Sequence, residues 1–399
     1  MKRFLTTIGV IVCLLSVQPS WAESQAGTVI VDSSAQMRNE YIQASLLVAE
    51  AAGETQSIFG HCALRLQCPS QQMDCCFRFE PFVGANSTAS FLSGKTMAGF
   101  QASQTSLYLS GFAKKGLGVK EYVLRLTPAE KLALWKCADE EIAKGYCRHD
   151  DVMRMQGASK VVSLVTRALS TRVVYANVAD YPDTSYRNMM LEACESYPWN
   201  AFFWQTVMGG KADETQPLTH RLTPQLLPLV WQKATVGNSK RHLIEGQGRV
   251  LTESTVTIGF FNRWLTPVVL FTLLLLVVIG LTVAERRLNR RLPARVVDVV
   301  LLALHTFLGI ALLCLVLCSR METAHWNVYL VAFNPLPQFL WLTLPNYRLW
   351  IFRAMLVVLL LFIAMTPFVP QLDAAHALLV ACIAVRLFQK TVNSKKVNK

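Results

Sequence analysis

Closely spaced apolar stretches fill the last third of this chain and constrain its fold more than any other feature. They lie at residues 264–284, 296–318, 350–366 and 372–388, with a shorter stretch at 327–344. An α-helix needs roughly 20 apolar residues, with a lower limit of about 17, to cross a bilayer. We therefore predict an all-α transmembrane bundle of about five helices over residues 263–389.

Basic residues indicate how this bundle is oriented. Five arginines lie between Arg286 and Arg295, directly after the first apolar stretch, and the positive-inside rule places them in the cytoplasm. The stretch 327–344 contains two prolines, so a re-entrant segment is an alternative to a fifth span. Five spans leave the basic tail 390–399 in the cytoplasm, whereas four leave it outside. We therefore predict five spans.

The first 22 residues have the composition of a secretory signal peptide. Lys2 and Arg3 precede an apolar stretch at 4–17, and the letters SWA ending at Ala22 fit a small-x-small cleavage site. An uncleaved anchor is the alternative, but the apolar stretch is short for a span. Cleavage leaves an exported, extracytoplasmic domain at residues 23–262, anchored to the membrane by the multi-pass bundle.

The positive charge of the chain is explained by the membrane. The formal net charge is +13, and much of the excess consists of lysines and arginines that flank the apolar stretches. We therefore predict the membrane as a partner and no nucleic acid.

The exported domain contains seven of the eleven cysteines. In an oxidising compartment disulfides are expected, and an odd number leaves at least one thiol over. No pair of cysteines has the spacing of a metal site, so neither a metal nor another cofactor is predicted. The seven are Cys62, Cys68, Cys75, Cys76, Cys137, Cys147 and Cys194.

The exported domain has strand patterns first and helix patterns later. This order predicts an α+β arrangement. Strands are predicted at 41–50, 60–66 and 76–82, and helices from Thr127 to about 144, from Gly157 onward, and over 183–194.

One predicted strand carries a histidine directly after a glycine, in the stretch SIFGHCALRLQC from Ser57 to Cys68. Side chains alternate along a strand, so His61 and Arg65 share one face while Cys62 points to the other and is expected in the core. From these residues alone, His61 is either a structural residue or a general base.

Four motifs carry a family resemblance. The letters FGHCALRL resemble the FGHxALR signature of the Lnb N-terminal periplasmic domain family, found in Bacteroidetes. VLRLTPAEKLALW, YPWNAFFWQTVMGG and HWNVYLVAFNPL resemble further motifs of that family, in the same order over nearly the whole mature chain. The resemblance implies a lipoprotein N-acyltransferase, which moves an acyl chain from a phospholipid to the α-amino group of a lipoprotein's diacylglyceryl-cysteine. It also implies a permuted NlpC-type, papain-like fold for the exported domain.

The same resemblance implies a catalytic pair, with His61 as general base and a cysteine at a helix start as nucleophile. Aligning Asp151, in RHDDVMRMQGASK, with the family's aspartate puts Gly157 where that cysteine should stand. Cys194 is the nearest alternative nucleophile. However, it lies near the end of a predicted helix, where the helix dipole disfavours a thiolate.

Other polar residues of the exported domain have two interpretations each. Cys147 is close in sequence to Gly157, where the family's cysteine should stand, but Cys137 is a natural disulfide partner for Cys147. Asp150 and Asp151 either orient a histidine or form a solvated acidic turn.

The membrane half carries its own candidates, because polar groups at membrane depth are costly and often functional. His325, Asn327 and Asn334 either position a lipid headgroup or a diacylglyceryl-cysteine, or lie at the interface. The aromatic residues Trp326, Tyr329 and Trp341 are typical of an interfacial belt. Five further residues are interpreted as packing: His305, Cys314, Cys318, His376 and Cys382.

Two functional hypotheses follow. The first is a membrane-anchored N-acyltransferase acting on lipoproteins, with phospholipid as acyl donor. The second is a catalytically degenerate paralogue that binds lipoprotein or lipid, or scaffolds an active relative. A transporter is disfavoured, because the membrane half has no clear internal repeat and few ionisable groups within its spans.

Overall fold

A computed structural model describes residues 42–397, apart from 54–56, 83–89, 91, 152–156, 176–180, 182, 238–240, 245 and 289–291. The predicted signal peptide lies outside the described residues. The described chain consists of an N-terminal α+β region and a C-terminal helical region, as the sequence predicts.

The α+β region is built on an antiparallel sheet, which has seven strands within the described residues. Including short strands outside this sheet, the described strands in chain order are β1 (Gln43–Ala49), β2 (His61–Cys68), β3 (Met73–Pro81), β4 (Thr96–Gln104), β5 (Val119–Val123), β6 (Cys147–His149), β7 (Val173–Val174), β8 (Thr184–Ser185), β9 (Thr215–Gln216), β10 (Thr235–Val236) and β11 (Arg249–Thr252). The order in the sheet is β11–β5–β1–β2–β3–β4–β6. The remaining short strands pair as β7 with β10 and β8 with β9.

Helices follow or interrupt these strands. In the α+β region they are α1 (Thr105–Lys114), α2 (Pro128–Ala143), α3 (Gly157–Ala168), α4 (Tyr186–Ala193), α5 (Pro198–Val207), α6 (Leu218–Arg221) and α7 (Leu226–Lys233), and α8 (Phe260–Arg263) leads into the membrane. The strands predicted around His61 and the helices predicted from Thr127 and Gly157 are thus confirmed.

Local sequence explains where these helices begin. The Thr127 hydroxyl accepts a hydrogen bond from the Glu130 backbone at 3.3 Å, and the Glu130 carboxylate accepts one from the Thr127 backbone at 2.7 Å. This capping box satisfies two amides that would otherwise be unpaired. The helix predicted over 183–194 is shorter than expected because Ser185, at its start, belongs to β8 and caps α4.

The sheet has helices on both faces. Neighbouring residues of β3 point to opposite sides. The Phe77 ring packs edge-on against Trp135 of α2 at 6.1 Å, whereas the Cys76 thiol donates to the Thr105 hydroxyl of α1 at 3.2 Å. Helix α3 lies on the same side as α2, because the Lys160 ammonium lies 5.3 Å from the ring of Phe79. One face therefore belongs to α1 and the other to α2 and α3.

The helical region contains four helices that are long and apolar enough to cross a membrane, among the residues that the structure describes. They are α9 (Pro267–Leu288), α10 (Leu292–Cys318), α13 (Arg348–Met365) and α14 (Ala374–Val397). The protein is therefore a multi-pass membrane protein. The prediction of about five spanning helices is wrong for the segment 327–344, which is not one continuous helix.

That segment is broken into α11 (Tyr329–Ala332) and α12 (Leu336–Thr343). Pro335 and Pro337 cause the break, because proline has no amide hydrogen to continue a helix and clashes with the preceding turn. The broken segment packs closely on α10. A Cβ atom added at Gly309 would lie 2.0 Å from the Phe333 carbonyl oxygen, so only glycine allows this approach.

The two ends of the broken segment lie at opposite ends of the bundle. At one end, the Asn327 side chain donates to the Thr206 carbonyl of α5 at 2.7 Å. At the other end, Trp341 lies against Arg348 at the start of α13, 4.5 Å from ring centroid to guanidinium. The far end of α13 returns to the α+β region, where the Gln205 side chain donates to the Gln371 carbonyl at 2.8 Å. The broken segment therefore extends from one end of the helical bundle to the other.

A buried ionic cluster joins three of the long helices. The Arg386 guanidinium of α14 donates to Asp298 of α10 at 2.6 Å, to Glu285 of α9 at 2.9 Å and to the Thr282 hydroxyl at 2.8 Å. An unpaired charge at this depth would be costly. Two carboxylates and a hydroxyl satisfy the guanidinium, so the cluster holds the bundle together.

Candidate functional site

His61 lies in a row of three polar groups at the start of β2. Its Nε2 atom is 2.9 Å from the Ser57 hydroxyl oxygen, and its Nδ1 atom is 3.8 Å from a carboxylate oxygen of Glu80. The side chains of His61 and Glu80 are 26% and 23% exposed. A hydroxyl, an imidazole and a carboxylate in this order form the arrangement that activates a nucleophile in many hydrolases and acyltransferases.

A tight turn places Ser57 next to the ring of His61. The Gly60 backbone amide donates to the Ser57 carbonyl at 2.9 Å, which closes the turn. Gly60 has a φ of +75°, and a Cβ atom there would lie 2.6 Å from the Ala49 carbonyl oxygen. Only glycine fits both conditions, so the glycine of the SIFGH stretch is required for this geometry.

Strand register places Glu80 on the other side of the ring. Ala63 of β2 pairs with Arg78 of β3, so the position two residues earlier in β2 faces the position two residues later in β3. That relation brings His61 opposite Glu80. Arg78 then fixes the carboxylate, with its Nε atom 2.8 Å from a Glu80 oxygen.

Aromatic residues of α1 cover this part of the sheet. The Phe112 ring lies 5.5 Å from the ring of His61, and Tyr108 lies 4.8 Å from Phe112. The Arg78 guanidinium is 5.8 Å from the Tyr108 ring and donates to the Ser103 hydroxyl at 2.6 Å. The row of polar groups therefore has an apolar wall that limits the mobility of the imidazole.

Arg65, the last residue of the FGHCALR stretch, shares a face with His61, as predicted. It binds Asp74 through Nε at 2.7 Å and Glu121 through a terminal nitrogen at 2.8 Å. Burial alone would raise the pKa of Asp74, but hydrogen bonds from Arg65 and Thr105 outweigh it and hold that pKa below its usual value. Arg65 is thus saturated by carboxylates and joins strands instead of contacting a substrate.

Gly157 does not face His61. It begins α3, and a Cβ atom there would lie 3.3 Å from the Phe79 carbonyl oxygen. Helix α3 packs on the face of the sheet that Phe79 points to, whereas His61 and Glu80 point to the face of α1. Gly157 and the side chain of His61 are therefore on opposite faces, and the pair implied by the resemblance is not assembled from these two positions.

The described cysteines are all free thiols, so the expected disulfides are not formed. Cys137 and Cys147, suggested as partners, are both unpaired. Cys75 and Cys76 are adjacent in β3 and point to opposite faces. Cys62 is 4% exposed and lies in the core, as predicted.

Cys194 is a buried thiol at the end of α4. It is 0% exposed and belongs to an apolar cluster with Met190 and Trp204. Burial raises its pKa to about 12, so it is protonated at neutral pH. This environment is the opposite of what a nucleophilic thiolate needs.

Alkylation rates should reflect this difference between thiols. In the folded full chain, we expect iodoacetamide to modify the exposed Cys147 at least about 100-fold faster than Cys194, because a buried thiol of raised pKa is inert. Peptide mass spectrometry after timed labelling measures both rates, and denatured protein gives the reference for equal access. Comparable alkylation rates of Cys147 and Cys194 in the folded protein would make Cys194 a candidate nucleophile again.

Two of the motifs identified in the sequence meet at the junction of the two regions. The Asn327 side chain, from HWNVY, donates to the Thr206 and Val207 carbonyls of the WQTVMGG stretch at 2.7 and 3.2 Å. The Gly209 amide donates to the Thr323 carbonyl at 2.8 Å, and the Gly210 amide to the Trp326 carbonyl at 3.1 Å. Asn327 is therefore a docking residue.

A buried histidine continues this junction. His376 of α14 has Nδ1 2.6 Å from an Asp373 oxygen and Nε2 2.7 Å from the Thr206 hydroxyl. The Phe202 ring stacks on it at 4.2 Å, and the Tyr329 hydroxyl donates to the Gln371 carbonyl at 2.7 Å. Tyr329 is fully buried, so it is not an interfacial anchor as predicted.

The remaining candidates are spread over the molecule. The Asp151 carboxylate accepts from the amide and the hydroxyl of Thr323, both at 3.0 Å, so it is neither a solvated turn residue nor a partner of His61. Asp150 pairs with Arg148 at 3.3 Å. His325 lies 3.4 Å from the Ser319 carbonyl, and Asn334 accepts from the Leu336 amide at 2.9 Å.

Within the bundle, His305 packs between the Ala332 carbonyl, at 2.9 Å, and the side-chain amide of Gln338. Trp326 is 80% exposed, which fits an interfacial position. Among the described residues, no group of three or more histidines, cysteines or carboxylates could hold a metal ion.

Comparison with known families gives one match. Residues 260–397, about a third of the chain, match the family model of the Lnb transmembrane domain. No curated protein and no solved structure matches the chain. The matched residues include the four long helices and the broken segment between α10 and α13.

Proposed function

We propose that this chain, whose residues 260–397 match the Lnb transmembrane domain, is a membrane-anchored acyltransferase of the Lnb type. The acyl donor is a phospholipid, and the acceptor is the α-amino group of a lipoprotein. The observation that carries the proposal is the row of Ser57, His61 and Glu80, in which the imidazole acts as general base.

The surroundings of this row suit a substrate that comes from the bilayer. Ile58, next to Ser57, belongs to the same apolar cluster as Trp204 of α5 and Phe362 of α13. Apolar contact is thus continuous from the turn before His61 into the membrane helices. An acyl chain that leaves the bilayer would pass along apolar side chains instead of entering water.

The proposal includes a location in the inner membrane with residues 23–262 in the periplasm, residues 263–389 in the membrane and the tail 390–399 in the cytoplasm. The signal-like N-terminus and the five arginines after α9 support it. A permuted NlpC-type, papain-like fold for the α+β region is also part of the proposal, although His61 and Gly157 lie on different faces of the sheet.

A reconstituted assay tests the activity. We expect the full chain, in phosphatidylethanolamine vesicles, to add one acyl group to the α-amino group of a synthetic diacylglyceryl-cysteine lipopeptide. Mass spectrometry detects the added acyl mass, and vesicles without protein are the control. If the natural protein transfers no acyl group to the lipopeptide, the enzyme proposal fails.

A second candidate function is binding by a degenerate paralogue, and Gly157 is the observation that favours it. A glycine has no nucleophile, and the buried Cys194 has a raised pKa. If Gly157→Cys creates acylation where the natural protein has none, this position is a vacated active site. Because Gly157 and the His61 side chain lie on opposite faces of the sheet, we expect no gain of acylation from Gly157→Cys. Retention of the lipopeptide by an inactive natural protein would support binding.

A further inference from the structure

We infer that the hydroxyl of Ser57 is the nucleophile that accepts the acyl group, with His61 as its base and Glu80 as the residue that orients the imidazole. This inference rests on the proposed function and names the residue that the resemblance leaves missing. It requires no cysteine.

The order of the three groups determines which atom is activated. With a proton on Nδ1 directed toward Glu80, the Nε2 atom of His61 carries a lone pair. That lone pair lies 2.9 Å from the Ser57 hydroxyl, which is within hydrogen-bond reach. The Glu80 contact of 3.8 Å is longer than a hydrogen bond, and such contacts often tighten only when substrate binds.

Thiols offer no comparable arrangement among the described residues. Cys62 follows His61 directly and therefore points to the other face of the sheet. Cys76 shares the face of His61, but its thiol donates to Thr105 and it pairs across the sheet with Arg65, four residues from His61. Burial raises the pKa of both thiols to about 12, so neither is a thiolate at neutral pH.

The reaction has two balanced steps. In the first, Nε2 of His61 takes the Ser57 proton while Oγ attacks the carbonyl carbon of the phospholipid ester. The C–O bond to glycerol breaks, and the leaving oxygen takes the proton from His61 to give a lysophospholipid and an acyl-serine ester. In the second, the lipoprotein amine attacks this ester, loses a proton to His61 and forms an amide. His61 then returns that proton to the Ser57 oxygen.

The position of Ser57 suits an apolar acyl donor. Ser57 is 4% exposed, and the next residue, Ile58, is 2% exposed within the apolar cluster that reaches the membrane helices. A nucleophile in such surroundings is shielded from water. An acyl-serine formed there would be protected from hydrolysis and would persist until the lipoprotein amine attacks it.

A serine-directed probe tests this inference without relying on the lipoprotein acceptor. We expect a long-chain alkyl fluorophosphonate to phosphonylate Ser57 in the full chain held in phospholipid vesicles, as detected by intact mass and peptide mapping. His61→Ala should slow the labelling at least about 100-fold, because the base is lost. Ser110→Ala, on the exposed surface of α1, is the matched control and should label at the natural rate.

Variants separate this inference from the proposed function. Ser57→Ala should abolish acyl transfer to the lipopeptide, and Ser57→Cys should retain part of it through a thioester that hydroxylamine cleaves at neutral pH. No labelling of Ser57 in the folded natural protein would overturn the inference, and this readout needs no variant to fold. Full acyl transfer by Ser57→Ala would overturn it while the proposed function stands. Labelling at Ser57 without transfer to the lipopeptide would support the nucleophile and refute the acceptor.

Discussion

Replacing His61 with alanine is expected to lower N-acylation of lipoproteins by a factor of about 10²–10⁴, which is the range that general-base catalysis contributes. The imidazole is the group within reach of both Ser57, at 2.9 Å, and Glu80, at 3.8 Å. Alanine leaves the hydroxyl without a base. The measurement is the acylated fraction of lipoprotein N-terminal peptides, by mass spectrometry, in cells that depend on this chain for acylation.

The fold should survive this change, so the loss can be attributed to chemistry. His61 is the first residue of β2 and its side chain is partly exposed, and such positions cost about 1 kcal/mol or less when truncated. His61→Gln, which keeps polarity but cannot act as a base near neutral pH, should be as inactive as the alanine variant. His220→Ala, an exposed histidine on α6, is the control and should retain full activity.

Unchanged acylation in His61→Ala would remove His61 from the chemistry and favour the binding hypothesis. Loss of acylation together with loss of folded protein would point to a structural role. The thermal unfolding temperature of each variant, measured in detergent, distinguishes these results.

Sequence patterns were sufficient for the elements and for the face that His61 occupies. The alternation in GHCALRL predicts Cys62 in the core and Arg65 on the same face as His61, and both are found. The capping box at Thr127 also follows from local letters alone. These features depend on neighbours within about four residues along the chain, which is the range that periodicity and capping rules describe.

The partners of His61 could not be identified in the same way. Ser57 becomes a partner only because Gly60 closes a turn with positive φ, and Glu80 only because the hairpin after β2 fixes the register with β3. The sequence does contain a serine and a glycine, Ser57 and Gly60, shortly before His61. This pattern indicates a contact between Ser57 and His61 only once the turn closed by Gly60 is known. The relation of Gly157 to the opposite face depends on where α3 packs, which is a tertiary property.

In the membrane half, too, local sequence predicts the elements but not their tertiary contacts. Hydropathy found the four long helices, because length and apolarity alone decide whether a helix can cross. It could not show that Asn327 and Tyr329 are docking residues, because their partners lie far away in sequence, at Thr206 and Gln371. The meeting of the WQTVMGG and HWNVY motifs became visible only in three dimensions.

Replacing Gly209 with alanine is expected to destabilise the junction between the α+β region and the membrane bundle by about 3 kcal/mol, the upper end of what overpacking costs, because a clash with backbone cannot be relieved by a rotamer change. A Cβ atom at Gly209 would lie 1.8 Å from the His325 carbonyl oxygen and 2.7 Å from that of Ala324. The Gly209 carbonyl also accepts from Arg187 at 2.9 Å, so a shift of this backbone would disturb a buried arginine.

The neighbouring glycine provides the matched control for this prediction. A Cβ atom at Gly210 would lie 3.4 Å from the Cβ atom of Trp326, which is an ordinary contact, so Gly210→Ala should unfold like the natural protein. For Gly209→Ala, a loss of 3 kcal/mol corresponds to a fall in melting temperature on the order of 6–12 °C, measured by tryptophan fluorescence in detergent. Equal melting temperatures for the two variants would mean that the two motifs do not pack as described. A selective loss in Gly209→Ala, accompanied by lower acyl transfer, would show that His61 acts only when its region is docked on the bundle.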